Sequence, residues 1–204
     1  MREMCEILGV SSKENIFLNE YLKEFYSHSD AHPHGWGLGI LHGNDAAIEK
    51  EPVKADKSSY LKERLKQRIS GDTDSERILL YIIDVINEEE GRANRRLSAK
   101  ERFDIIDKII VDISKDNKLN LMLYDNELMY VHTNFADSLH YLKKDGSVIV
   151  ATSPLSDEEW EKVPFTQLLA YKDGELLYVG TNHGNEYIEN EENVKMLYQI
   201  FAEL

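Results

Sequence analysis

The feature that most constrains this 204-residue chain is a change of hydrophobic period near its middle. In DTDSERILLYIIDVINEE, Leu79, Ile82, Ile83 and Ile86 recur at the spacing of one helix face, and in SAKERFDIIDKIIVDIS so do Phe103, Ile106, Ile110 and Ile113. From residue 119 the period is two. LNLMLYDNELMYVHT places Leu119, Leu121 and Leu123 on one side of a strand, with Asp125-Asn126 turning into a returning strand. SVIVAT reads as a further strand, and QLLAYKDGELLYVG carries Asp173-Gly174, a pair favoured in type I′ hairpins. Helices first and antiparallel hairpins after them argue for an α+β fold or a layered sandwich rather than a parallel doubly wound sheet. The polar stretch EEEGRANRRLS around Gly91 joins the two helices as packed neighbours, and ENEENVKMLYQIFAEL, with Leu197, Ile200, Phe201 and Leu204, predicts a closing helix. No fixed repeat is visible, and the expectation is one domain over residues 1–204.

Charge and cysteine usage narrow the function classes. A formal net charge of -14 is unsuited to tracking phosphates, so no nucleic-acid partner is expected. A single cysteine forms no internal disulfide. MREMCEILGV lacks the apolar core of a signal peptide, and no later run has the length to span a bilayer. These features predict a cytoplasmic protein with no membrane partner.

The cysteine, Cys5, directly follows Met4. A free cysteine is most often a small buried hydrophobe. Its position offers a second reading, because cleavage after Met4 would make it the first residue. Its α-amino group, with a reference pKa of about 8, would then stand beside a thiol of about 8.5 and could accept its proton. Elsewhere, Gly35, Gly37 and Gly39 bracket Trp36 in HPHGWGLGI without the spacing of a phosphate-binding loop, and a strand entering a packed sheet explains them structurally. His28, His32, His34 and His42 invite a metal, but Pro33 breaks their alternation and no ligand set is completed, so no metal is expected. Thr73-Asp74-Ser75-Glu76 is a capping box, and so is Ser98-Ala99-Lys100-Glu101.

Taken together, MCEILGVSS, HPHGWGLGI and GDTDSERILLYIID resemble the class II glutamine amidotransferases of the N-terminal-nucleophile hydrolase superfamily, in their stand-alone form. NLMLYDNELMYVHTN, VATSPLSDEEW and VPFTQLLAYKDGELLYVG extend the likeness over most of the chain. The resemblance implies a four-layer αββα sandwich of two antiparallel sheets. It implies that Cys5 is the nucleophile and its freed amine the general base. The thiolate attacks the side-chain amide of glutamine, ammonia leaves, and water hydrolyses the thioester to glutamate. Asp74 is implied to bind the α-ammonium of the substrate, and Gly35 and Trp36 to line the pocket beside the nucleophile. No cofactor is implied. The ammonia acceptor is not identified, and homo-oligomerisation stays open.

The likeness breaks before Gly71. Family members carry there a His-Ile-Arg strand, whose arginine holds the glutamine carboxylate, and an Asn-Gly pair that forms the oxyanion hole. This chain instead runs Gln67-Arg68-Ile69-Ser70-Gly71, an internal deletion near residues 60–71, and Arg68 lacks the strand context of the family arginine. Loss of a single oxyanion donor costs about 100- to 1,000-fold in rate. Three explanations stand: residues of the protein omitted from this sequence, a true deletion that leaves a catalytically inactive binding or regulatory module, or an enzyme with rebuilt donors. The first is favoured, because a sandwich stripped of interior strands exposes sheet edges. A weaker alternative is an N-terminal-cysteine hydrolase acting on another small amide.

Overall fold

The computed structural model describes residues 6–30, 36–42, 45–51, 74–115 and 117–188. The chain order is β1 (Leu8–Ser12), α1 (Asn19–Ser27) running into a 3-10 turn (His28–Asp30), β2 (Trp36–His42), β3 (Asp45–Glu51), α2 (Asp74–Ala93) and α3 (Ala99–Ile113). The strands β4 (Asn120–Tyr124), β5 (Met129–Thr133), β6 (His140–Lys144), β7 (Ser147–Ala151), β8 (Glu161–Lys162), β9 (Leu169–Lys172) and β10 (Glu175–Val179) follow. They form one sheet in the order β1-β7-β6-β8 and a second in the order β10-β9-β5-β4, while β2 and β3 pair with each other. All these pairings are antiparallel, as the α+β reading expects.

Strand periodicity sends alternate residues into different cores. Leu128 and Tyr130, with Leu168 and Ala170, meet Ile82 of α2 and Phe103, Ile106 and Ile110 of α3. Their sequence neighbours Met129, Val131, Leu169 and Tyr171 face the other way, against Val148 and Val150 of β7. Two other β7 residues, Ile149 and Ala151, pack with Tyr21 of α1, Leu142 and Leu155, with Leu8, Val10 and Trp160 alongside. The strands β5, β7 and β9 are thus buried on both faces, which is why their sequences read as near-continuous apolar runs.

Local chemistry fixes the connections. In the β9–β10 turn Asp173 and Gly174 take φ of 51° and 81°, the two positive values of a type I′ turn. The β4–β5 turn is wider: Asn126 has φ 74°, and the Asp125 carboxylate accepts from the amides of Glu127 and Leu128 and from the Tyr130 hydroxyl. Arg102 of α3 donates to Asp125 through Nε at 2.7 Å and to Glu127 through Nη2 at 2.9 Å, tying the turn to the helix. Burial pushes the Asp125 carboxyl up, but the bonds from Arg102, Leu128 and Tyr130 outweigh it and hold the acid below its usual range. The α3 capping box forms as expected, Ser98 Oγ accepting from the Glu101 amide while the Glu101 carboxylate accepts from the Ser98 amide.

Three details depart from the sequence pattern. On α2 the buried line runs through Ile82, flanked by Ile78, Val85 and Ile86, whereas Leu79 and Ile83 stay 40% and 41% exposed. They line a groove of about 500 Å³ beside Leu123 and Asp125. Helix α1 was not evident, because in NEYLKEFYS only Tyr21 is buried. Strand β2 forms, but among the described residues it pairs with β3 alone, leaving Ile40 and Ile48 exposed. The first capping-box residue Thr73 and the expected tail helix lie outside the described residues.

A Cβ at Gly174 would lie 2.5 Å from the backbone of Gly146 and Ser147, in addition to the cost of positive φ. Gly174→Ala should therefore destabilise by about 2–4 kcal/mol, whereas Gly184→Ala, at φ 67° with open space around it, should lose only about 1–2 kcal/mol. Urea denaturation midpoints of the two variants measure the difference.

Candidate active site around the N-terminal strand

The described chain enters at Glu6, and its first residues are held by groups far away in sequence. The Ile7 amide donates to Thr152 Oγ1 at 3.2 Å and the Thr152 amide returns a bond to the Ile7 carbonyl at 3.1 Å. From there the β1–β7 ladder runs from Leu8↔Ala151 to Ser12↔Ser147. The Glu6 carboxylate accepts from His28 Nδ1 at 2.8 and 3.0 Å, and from Ser153 Oγ at 3.5 Å. Two stretches read separately in the sequence, residues 6–12 and 147–153, therefore meet in space, with the end of α1 closing the corner.

The expected site residues are placed by element rather than by contact. Trp36 opens β2 and Asp74 opens α2. Cys5 and Gly35 lie outside the described residues, as do His32, His34 and Arg68. Sequence reasoning assigned no role to His28 beyond a low-weight metal reading, yet His28 is the residue that reaches Glu6. Its other ring nitrogen lies 3.4 Å from Glu24.

A second polar centre lies where β5 meets the segment after β10, and it too was missed. His132, fully buried, bonds through Nδ1 to the Leu119 carbonyl at 3.0 Å and through Nε2 to His183 Nε2 at 3.0 Å. A carbonyl only accepts, so His132 carries its proton on Nδ1 and accepts at Nε2. His183 accepts at Nδ1 from the Asn185 amide and donates from Nε2. Nearby, Asn134 accepts from the Leu119 amide and donates to the carbonyls of Ser114 and Asn117. Asp107 accepts from the amide and hydroxyl of Thr181, and the chain comes so close that a Cβ at Gly180 would meet Asp107 Oδ1 at 2.1 Å. The signal for this centre was present in the sequence: His132 shares the strand face of Leu128 and Tyr130, so it is a polar residue in an apolar slot.

Among the described residues no helix is long and apolar enough to cross a membrane, and no three His, Cys, Asp or Glu side chains gather in a group that could hold a metal.

Comparison with known proteins bears on this arrangement. Residues 61–145 match the family model of the class II glutamine amidotransferases. An uncharacterized protein of Methanocaldococcus jannaschii is 21% identical over 257 residues of alignment, which cover 86% of this chain and 71% of that one. The crystal structure of a predicted glutamine amidotransferase from Pseudomonas aeruginosa PA01 superposes with a TM-score of 0.57 at 13% identity, covering 85% of this chain and all of that one. At that identity the last likeness is one of fold.

The histidine pair gives the fold a pH dependence. Desolvation, and then the neighbouring His183, lower the pKa of His132 to about 4 despite its bond to the Leu119 carbonyl. Desolvation also lowers His183, opposed by Asp107. Both values are depressed relative to the unfolded chain at about 6.5, so between these limits the unfolded state binds more protons and stability falls as pH falls from about 6.5 towards 4. For His132 the loss should reach about 2–3 kcal/mol. Urea midpoints across that range should show this slope, and His132→Asn should flatten it.

Proposed function

We propose that this chain, which carries a class II glutamine amidotransferase-like domain, is a glutamine-hydrolysing enzyme whose nucleophile is Cys5, freed as the first residue by cleavage after Met4. The observation that carries the reading is the corner at β1: the residues directly after Cys5 are held by main-chain and side-chain bonds to Thr152, Ser153 and His28, as a nucleophile at a chain terminus requires. The thiol gives its proton to the α-amine and attacks the glutamine side-chain carbon, the C–N bond breaks, and the amine returns the proton to departing ammonia. Water then opens the thioester, releasing glutamate and the thiol. Asp74 binds the substrate ammonium, and Gly35 and Trp36 flank the nucleophile. The helix start is a sensible place for Asp74, because a carboxylate in the first turn is already stabilised there.

The stacking order of the three apolar cores supports the αββα arrangement of the N-terminal-nucleophile hydrolases. One core lies under α2 and α3, one between the sheets, and one under α1. One domain over residues 1–204, in a cytoplasmic protein, is part of the same proposal. So is an interior shortening near residues 60–71. Its support is an alignment of 257 residues, longer than the 204-residue chain itself, so the relative carries residues inside the matched span that this chain lacks. The second reading, a binding or regulatory module that keeps the fold without turnover, follows from the absence in this sequence of the arginine and the Asn-Gly pair that the resembled family carries.

Glutaminase assays separate the two. Cys5→Ala should lower glutamate release by about three orders of magnitude or more, the scale of removing a covalent nucleophile, with the melting temperature unchanged. A fall in melting temperature with turnover retained would return Cys5 to the role of buried hydrophobe. Asp74→Asn should cost roughly 1.5–3 kcal/mol, or about 10- to 150-fold, in glutamine binding or kcat/KM, while as a helix-start acid Asp74 contributes only about 0.3–1 kcal/mol to stability. Equal glutamine affinity in parent and variant would remove its substrate role.

A further inference from the structure

The segment after β10, residues 181–188, runs as a strap along one face of α3. Thr181 donates to Asp107, the Asn185 side chain donates to the Val111 carbonyl and the Ser114 hydroxyl, and the amides of His183 and Tyr187 donate to the carbonyls of Thr166 and Asn134. From residue 182 onward exposed and half-buried residues alternate, with His183, Asn185 and Tyr187 turned inward, and no side chain of the strap is fully buried. A segment held by polar anchors rather than by apolar burial opens on its own, ahead of the core. It also holds a strained residue. Thr166, whose carbonyl accepts from His183 and whose hydroxyl donates to Asn182, has φ 54°, a costly conformation for a β-branched side chain.

At the middle of the strap the two histidines belong to a chain of hydrogen bonds with a single direction. The Asn185 amide donates to His183 Nδ1, His183 Nε2 donates to His132 Nε2, and His132 Nδ1 donates to the Leu119 carbonyl. All four ring nitrogens are engaged, and they share two protons. A third has no place. On His183 Nδ1 it would face the Asn185 amide; on His132 Nε2 it would face the proton of His183 Nε2, and moving that proton to Nδ1 restores the first conflict. The Ser114 hydroxyl, 3.5 Å from His183 Nδ1, is at the limit of hydrogen-bond reach and already accepts from Asn185. Of the charged groups around the pair, Asp107 on α3 favours a protonated His183 but is itself bonded to Thr181. Lys115 at the end of α3 pairs with Asp112, Lys118 before β4 lies over the Phe135 ring, and on the strap Glu186 is exposed while Tyr187 packs on Phe135.

We propose that the His132–His183 contact is an acid-labile clasp, in which one added proton undocks residues 181–188 from α3 and the end of β5 while both sheets stay folded. The opened strap binds the proton that the closed one excludes, so opening becomes more favourable as pH falls. Undocking also lets Thr166 relax. The clasp works whether or not the chain turns over glutamine.

Hydrogen–deuterium exchange of the whole chain, read by mass spectrometry and corrected for the intrinsic pH dependence of amide exchange, tests this. One histidine freed on opening to a reference pKa of about 6.5 makes the opened strap about tenfold more populated at pH 5.5 than at pH 7.5. Protection of peptides within 181–188 should fall by that factor while peptides from β5 and β7 keep theirs. In His183→Gln the fall should vanish, because a side-chain amide presents either its nitrogen or its oxygen to His132 and no protonation state sets two donors face to face. If that variant leaves the strap unprotected at both pH values, the parent decides: its loss of protection must follow the titration of the His183 ring in nitrogen-15 NMR. Constant strap protection between pH 7.5 and 5.5, a loss shared equally with β5 and β7, or an undiminished pH response in His183→Gln would each overturn the proposal.

Discussion

The structure depends on a pairing between strands far apart in sequence. The bond from Ile7 to Thr152 closes a separation of 145 residues, and the five residue pairs that follow make β1 part of a sheet whose other strands all come from the second half of the chain. Such a contact gains nothing until the intervening chain is organised, so its formation is coupled to the hairpins it joins. Once β1 is in place, Leu8 and Val10 fill the outer core beside Tyr21 and Ile149. On its other face Gly9 sits against Met122 of the second sheet, where a Cβ would lie 2.6 Å from the Met122 sulfur. Strand β1 is therefore an anchored structural element, packed on both of its faces.

Much of the second half was legible because local and tertiary preferences agree there. Leu119, Leu121 and Leu123 share a core as their alternation predicts, and Asp173-Gly174 makes its turn. The capping box at Ser98 was readable for the same reason: its bonds close within four residues. Where burial depends on distant partners, the sequence said less. The apolar spacing of α2 could not reveal that Leu79 and Ile83 would face a groove, since that is decided by which strand lies beneath them. Helix α1 has a polar sequence, and its one buried residue is covered by loop residues from beyond β7. His28 and Glu6 are 22 residues apart with no shared periodicity, so their meeting follows from the path of α1 alone.

The two buried polar centres differ in kind. The Arg102–Asp125–Tyr130 group joins a charged pair with hydrogen bonds to each charge, and it locks a turn to a helix. Removing one partner would strand the other, which is the costly way to break such a group. The His132–His183 pair achieves its satisfaction by being neutral, with each ring in one tautomer. Both avoid unpaired polar atoms; among the described residues none is buried without a partner.

The edge at β4 bears on the choice between a shortened enzyme and a complete binding module. Among the described residues β4 ends its sheet, and its sequence NLMLY carries no charge, proline or bulge to discourage further pairing. Natural edges usually carry such protection. Above it, α2 presents Leu79 and Ile83 over a groove whose floor includes the partly buried Leu123. An apolar overhang beside an unprotected edge is what remains when an adjoining strand is removed from a sandwich. A module selected for life without that strand would have gained polar residues at these positions. The same helix begins at Asp74, directly after the stretch where the sequence departs from the pattern of the family it resembles. The exposed groove supports the proposed reading of an enzyme whose sequence here lacks residues over that of a module refitted for binding alone.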